Sequence, residues 1–185
     1  MLRPNRAAVV GAILLPVIAG CTVTSVIEEP DPAAIPTGEP VPVGAEATGP
    51  ITVLGSGQAF ELGWRYLIYE SMDGWCTELQ MAEVNSTSCG PDLLPPDGEH
   101  IGSAGALQPL ESGVTPVAGI ASDEIFTVSV VDEADVRRQP AVLMPLDEAG
   151  LEGQAFLAFM PPDMTPTHIQ ALARSGEVLQ TYELP

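Results

Sequence analysis

The sequence predicts an all-β protein, an antiparallel β-sandwich or partly open barrel of about seven to nine short strands. Two observations support this fold class. No long stretch has the periodicity of a helix, and short runs of alternating apolar and polar residues recur between Gly, Pro, Asp and Ser. A disordered linker is expected before the β-domain, which we place at residues 51–185.

The clearest predicted unit is a hairpin of residues 64–70 and 75–81, joined by turn-forming residues 71–74. If Glu70 pairs with Trp75, one face carries Trp64, Tyr66 and Ile68 opposite Met81, Leu79 and Thr77. The other face then carries Arg65, Leu67 and Tyr69 against Gln80, Glu78 and Cys76. Because alternation fixes the register, we expect the first face in the core and an ion pair from Arg65 diagonally to Glu78.

Further strands are expected in the second half of the chain, at residues 114–120, 124–131, 142–146, 154–160, 167–173 and 178–184. Pro145 favours an edge position for the third of these. The run 154–160 is apolar on both sides, which is typical of a strand buried on both faces. Helical turns are expected at 132–139 and 147–153. Residues 82–113 are expected to be mostly irregular and to offer a binding surface.

The N-terminus has the features of an export signal. Arg3 and Arg6 precede an apolar run of residues 7–18. A membrane span needs roughly 20 apolar residues, so a retained anchor is disfavoured. The segment could also be an ordinary secretory signal peptide that is cleaved without lipidation, since Ala19-Gly20 suits cleavage after small residues.

Residues Val17-Ile18-Ala19-Gly20-Cys21 resemble the lipobox of bacterial lipoproteins. The resemblance implies that residues 1–20 are a signal peptide, that Cys21 carries the lipid, and that the lipid is the contact with the membrane. The implied location is extracytoplasmic, anchored to the cell membrane or the outer membrane. Residues 21–50 follow as a lipid-anchored linker rich in Pro and acidic residues, expected to be an extended stalk.

The charge is strongly acidic, with 25 Asp and Glu against six Arg and no Lys. Loss of residues 1–20 would remove two arginines and no acidic residue, taking the formal net charge from −19 to −21. Nucleic acid is therefore excluded as a partner, because its binding requires basic residues against phosphates. A requirement for a highly soluble surface would by itself also explain the acidic composition.

The chain has three cysteines, and lipidation would set Cys21 apart from the other two. With Cys21 lipidated, Cys76 and Cys89 remain, and an oxidising compartment favours a disulfide between them. Two metal-binding thiolates are the alternative. Zinc sites usually add a second Cys or His at short spacing, which this sequence does not have.

Motifs for nucleophilic, metal or phosphate chemistry are absent from the sequence. We therefore predict a protein that is not an enzyme, without catalytic residues, a metal or a cofactor. Tyr69, Trp75 and His100 are the candidate binding surface, although alternation also suits the two aromatic side chains to the core. His168 is expected opposite Glu183 in the last hairpin, as a surface pair.

The pattern Gly63-Trp64-Arg65, Tyr69, Asp73-Gly74, Cys76 and Cys89-Gly90 resembles a small cysteine-paired β-domain of uncharacterised bacterial secreted proteins and lipoproteins. Similar domains occur outside the membrane in some regulatory proteins. The resemblance implies no catalytic role. Our leading hypothesis is a non-enzymatic binding or interaction module at the cell envelope. Its alternatives are an accessory or sensory domain of an envelope protein complex and a carboxylate-dependent hydrolase.

Overall fold

The computed structural model describes residues 34–82, 84–91, 93–133 and 138–185. The predicted signal peptide, Cys21 and the first part of the predicted linker lie outside these residues. The strands are β1 (Ala47–Ala59), β2 (Leu62–Ser71), β3 (Gly74–Met81), β4 (Asn85–Gly90), β5 (Ile101–Ala106), β6 (Thr115–Ala121), β7 (Thr127–Asp132), β8 (Arg138–Pro140), β9 (Val142–Pro145), β10 (Gln154–Met160), β11 (Pro166–Leu172) and β12 (Val178–Glu183). Within the described ranges, no helix has the length and apolar character needed to cross a membrane.

Three antiparallel sheets of four strands make up the domain. The first sheet has the order β1-β2-β3-β4, the middle sheet β5-β6-β10-β9 and the third sheet β12-β11-β7-β8. One apolar cluster joins the first sheet to the middle sheet, and a second joins the middle sheet to the third. The all-β antiparallel class is confirmed, and the described residues form three sheets and twelve strands where seven to nine strands were expected.

Strand β10 shows why the middle sheet has two apolar faces. Alternate residues Ala155, Leu157 and Phe159 belong to the first cluster. Phe156, Ala158 and Met160 belong to the second. The prediction of a strand buried on both faces is confirmed, and β9 lies at an edge as Pro145 indicated.

The predicted hairpin register is confirmed, because Glu70 pairs with Trp75 and Trp64 with Met81. Trp64, Tyr66 and Ile68 enter the core between the first and middle sheets. The Trp64 ring lies 6.2 Å from the ring of Phe159, between centroids, which brings an aromatic pair across the two sheets.

The segment 82–113, expected to be mostly irregular, contains two strands that were not predicted, β4 and β5. Its strands have the sequences NSTSCG and IGSAGA. Small residues carry little strand propensity of their own. These strands form because β3 and β6 offer hydrogen-bonding edges. Their formation therefore depends on tertiary contacts, which the local sequence does not reveal. Of the two expected helical turns, the one at 147–153 is present as a short 3-10 helix, Asp147–Ala149. The centre of the one expected at 132–139, residues 134–137, lies outside the described residues.

The domain begins before the predicted boundary at residue 51. Strand β1 starts at Ala47, and residues 38–44 lie against the first sheet. We call residues 38–44 the N-terminal strap. Close contact extends further back, since a Cβ at Gly63 would lie only 2.1 Å from the carbonyl oxygen of Ala34. This part of the predicted stalk is therefore part of the folded domain.

Candidate functional site

The outer face of the first sheet holds a buried carboxylate. Glu78 has no exposed surface. Its oxygens accept hydrogen bonds from Tyr69 Oη (2.9 Å), Gln80 Nε2 (2.6 Å), Thr87 Oγ1 (3.1 Å) and the backbone N–H groups of Val43 (3.0 Å) and Gly44 (3.2 Å). A buried carboxylate with this many donors is stable in its ionised form.

The protonation of this site follows from burial and hydrogen bonding. Burial alone would raise the pKa of Glu78, but the bonds from Gln80, from the strap amides and from Tyr69 outweigh it and lower that pKa. Burial, the hydrogen bond to Glu78 and its negative charge raise the pKa of Tyr69 to about 12. At neutral pH the phenol therefore stays protonated and donates to the carboxylate.

The predicted Arg65–Glu78 ion pair was wrong, because Gln80 lies between the two charges. Arg65 Nε and Nη2 donate to Gln80 Oε1 at 3.1 and 2.7 Å, and Gln80 Nε2 in turn donates to Glu78. Arg65 Nη1 also donates to the carbonyl of Gly38 at 2.6 Å, and Gln80 Nε2 to that of Val41 at 2.8 Å. Together with Glu78, these side chains hold the backbone of the N-terminal strap.

Two of the candidate binding residues lie on opposite faces of the first sheet. Tyr69, a candidate for the binding surface, is instead fully buried next to Glu78. It is buried because Ala45, Ala47 and Ile51 pack over this face. Trp75 is half-buried and packs against the core between the first and middle sheets.

His100 lies elsewhere, immediately before β5. Its Nδ1 is 3.2 Å from Ser122 Oγ and 3.7 Å from Glu124 Oε2, and its backbone N–H donates to Gln180 Oε1 at 2.5 Å. It lines an open acidic cavity of about 290 Å³ with Asp97, Glu99, Asp123, Glu124 and Glu152. The three candidate residues therefore do not form one surface. In the last hairpin His168 pairs with Glu183 in the ladder, as expected.

A second cavity, the inter-sheet hollow, lies between the edge strands β4 and β5 and has a volume of about 200 Å³. Small or hydroxyl-bearing residues line much of it, including Thr77, Ser86, Ser88, Ser103, Gly105 and Ala118. Tyr66 forms part of its wall, and burial raises the pKa of Tyr66 to about 12 although a hydrogen bond with Thr77 opposes this. None of the described residues lining this hollow is charged.

The hollow exists because side chains are short where the two sheets face each other. Gly105 pairs with Ala118, and both line the hollow. A Cβ added at Gly105 would meet no atom within 4 Å. This hollow was not predicted from the sequence, although the small residues at 86–88 and 102–105 are its signal.

No known protein family, characterised protein or solved structure matches the chain. Among the described residues, no group of three or more His, Cys, Asp or Glu side chains is arranged to hold a metal ion. The inter-sheet hollow and the network around Glu78 are therefore the features from which function has to be inferred.

Proposed function

We propose that this protein is an envelope lipoprotein, tethered by a lipid on Cys21, whose β-domain binds a partner without catalysis. The observation that carries the binding role is the inter-sheet hollow, a neutral cavity at the edge of a strongly acidic domain. Cavities with an apolar floor and a few polar groups are typical binding sites. The hydroxyl groups of Ser86, Ser88 and Ser103 would supply the polar contacts.

Location outside the cytoplasm is supported from two sides. The N-terminal sequence resembles a lipobox, and a disulfide joins Cys76 to Cys89. Structural disulfides persist in oxidising compartments, so the cysteine pair is compatible with export. The alternative role as metal-binding thiolates is not open to the two joined sulfurs.

A hydrolase based on carboxylates would need a general acid with a raised pKa. Glu78 has a lowered pKa and uses its oxygens to hold the strap. It also faces away from the inter-sheet hollow, which lies on the other side of the first sheet. Binding is therefore the better proposal for this domain. An accessory or sensory domain in an envelope complex would be one form of it.

Lipidation has a direct test. Cells expressing the full chain and grown with alkyne-tagged palmitate are expected to label the wild type and not Cys21→Ala, because only Cys21 can receive the lipid in the proposed scheme. The labelled band is detected after a click reaction and gel electrophoresis. A Ser25→Ala variant is the matched control and should label normally. Equal labelling of Cys21→Ala would contradict the anchor.

Binding at the inter-sheet hollow can be tested by photo-crosslinking. Ser88 is an exposed residue on the rim of the hollow, and p-benzoylphenylalanine placed there would reach a bound partner. Val178, which is 43% exposed on the third sheet, is the control position. Adducts from position 88 alone are expected in irradiated cells. Adducts at neither position, or equally at both, would contradict a binding role for the hollow.

A further inference from the structure

Strand β4 differs from the other edge strands of the described sheets. Those sheets have six edge strands, β1, β4, β5, β8, β9 and β12. β1, β5 and β12 carry bulges, and β8 and β9 contain Pro140 and Pro145. Bulges and prolines protect edges against pairing with another chain. β4 pairs with β3 over six residues without a register shift and contains no proline, so neither of these devices protects it.

The disulfide shows which backbone groups of β4 point outward. Cys76 and Cys89 are direct partners with their Cα atoms 4.1 Å apart, which is the close spacing of a non-hydrogen-bonded pair. The N–H and C=O of Cys89 therefore point away from β3. By alternation the same holds for Thr87, two residues earlier in an unshifted ladder. The free edge thus offers these main-chain groups to a further strand.

The inter-sheet hollow lies directly beside this edge, because Ser86, Thr87 and Ser88 help to line it. Its volume of about 200 Å³ is a little above that of engineered cavities that hold benzene, about 150 Å³. Pockets for whole small-molecule ligands are usually about 300–1,000 Å³. The size therefore suits one aliphatic or aromatic side chain better than a complete ligand.

Charge indicates which kind of chain would supply that side chain. The formal net charge of −19 repels acidic partners, a second copy of this protein included, and attracts basic ones. The connection from β4 to β5 is itself acidic, with Asp97 and Glu99 lining the acidic cavity beside Asp123 and Glu124. A segment with Lys or Arg next to an apolar residue is complementary to this surface.

We propose that β4 binds an extended, basic peptide segment of a partner protein by strand addition, with one aliphatic or aromatic side chain in the inter-sheet hollow. This inference rests on the proposed binding function and names its partner class. Main-chain bonds to Thr87 and Cys89 supply affinity, and the hollow supplies selectivity. Alternate residues of an added strand point to the same face as Ser86 and Ser88, which line the hollow.

Selection from a displayed library of random twelve-residue peptides tests the proposal, with the full chain as bait. Enriched peptides are expected to be rich in Lys or Arg, with a Leu, Ile or Phe at one fixed position. Gly105→Leu should weaken them by about tenfold or more, since its side chain would fill the hollow. Val178→Leu, on the third sheet, is the matched control and should bind normally. Unchanged melting would show that Gly105→Leu folds.

Methylation of peptide nitrogens separates strand addition from other binding. Methyl groups on one alternate set of amides should abolish binding, whereas methyl groups on the other set should be tolerated. No enrichment, enrichment of acidic peptides, or binding unaffected by Gly105→Leu would each overturn the proposal. If crosslinking from position 88 succeeds while peptide selection fails, the result supports the binding function and contradicts strand addition. An adduct with the mass of two copies would assign the edge to self-association instead.

Discussion

Replacing Glu78 with alanine is expected to lower the free energy of unfolding by about 3–5 kcal/mol. The change removes the acceptor for five donors, which come from β2, β3, β4 and the N-terminal strap. Each buried donor left unsatisfied costs about 1–3 kcal/mol, and water can restore some of these bonds at the edge of the network. Urea denaturation of the two proteins measures the difference.

Two further variants separate the role of the charge from general surface effects. Glu78→Gln retains the side-chain shape but turns an amide group toward existing donors, so an intermediate loss of about 2 kcal/mol is expected. Glu177→Ala removes an exposed carboxylate in the last hairpin and should change stability by less than about 0.5 kcal/mol. Hydrogen exchange should be faster at the Val43 and Gly44 amides in Glu78→Ala. A loss below about 1 kcal/mol would contradict the proposed network.

The pH dependence of stability follows from the same carboxylate. Because folding lowers the pKa of Glu78, the unfolded chain takes up its proton first as the pH falls. Its contribution to stability is fully present above the ordinary glutamate pKa of about 4.3 and is lost as the pH falls through the lower, folded value. Glu78→Gln should therefore lose less stability than the wild type between pH 5 and pH 3, a range of roughly two units around that pKa. Equal acid sensitivity in urea titrations at the two pH values would argue against a lowered pKa.

The parts of the fold that the sequence predicted correctly are those in which side-chain alternation carries the information. The hairpin register and the two-sided burial of β10 are examples, because a shift by one residue would expose large apolar side chains. Strands β4 and β5 were missed because their small residues have no such pattern. The third sheet was missed for a related reason, since strand runs do not reveal how sheets stack.

The strap was missed because its contacts use backbone atoms. Gly38 and Val41 contribute carbonyl groups, and Val43 and Gly44 contribute amides. Every residue has such groups, so composition does not distinguish a docked proline-rich segment from a free one. The sequence signal lies instead in the side chains that bind the strap. Arg65 and Glu78 are charged residues on one face of the predicted hairpin, and charged groups on a covered face need hydrogen-bonding partners.

Removing the disulfide is the second change with a large expected effect. The Cys76→Ala, Cys89→Ala double variant should lose about 3 kcal/mol of unfolding free energy, as the chain-entropy model predicts for a loop of about 15 residues. Denaturation of the oxidised wild type and the variant measures this. Since Cys76 is buried and Cys89 is exposed, each single variant would leave a thiol in a different environment, so the double variant is the cleaner comparison. A loss below about 0.5 kcal/mol would show that β4 needs no covalent support.

The two large effects should not add. Thr87, two residues before Cys89, donates to Glu78 Oε2 at 3.1 Å, so the hydrogen bonding of Glu78 depends on the position of β4. If loss of the disulfide frees the end of β4, part of the Glu78 network is already lost in that variant. The combination with Glu78→Ala should then cost less than the two separate losses together, by about 0.5–1 kcal/mol. Strict additivity in a double-mutant cycle would mean that β3, and not the disulfide, positions the Thr87 hydroxyl group.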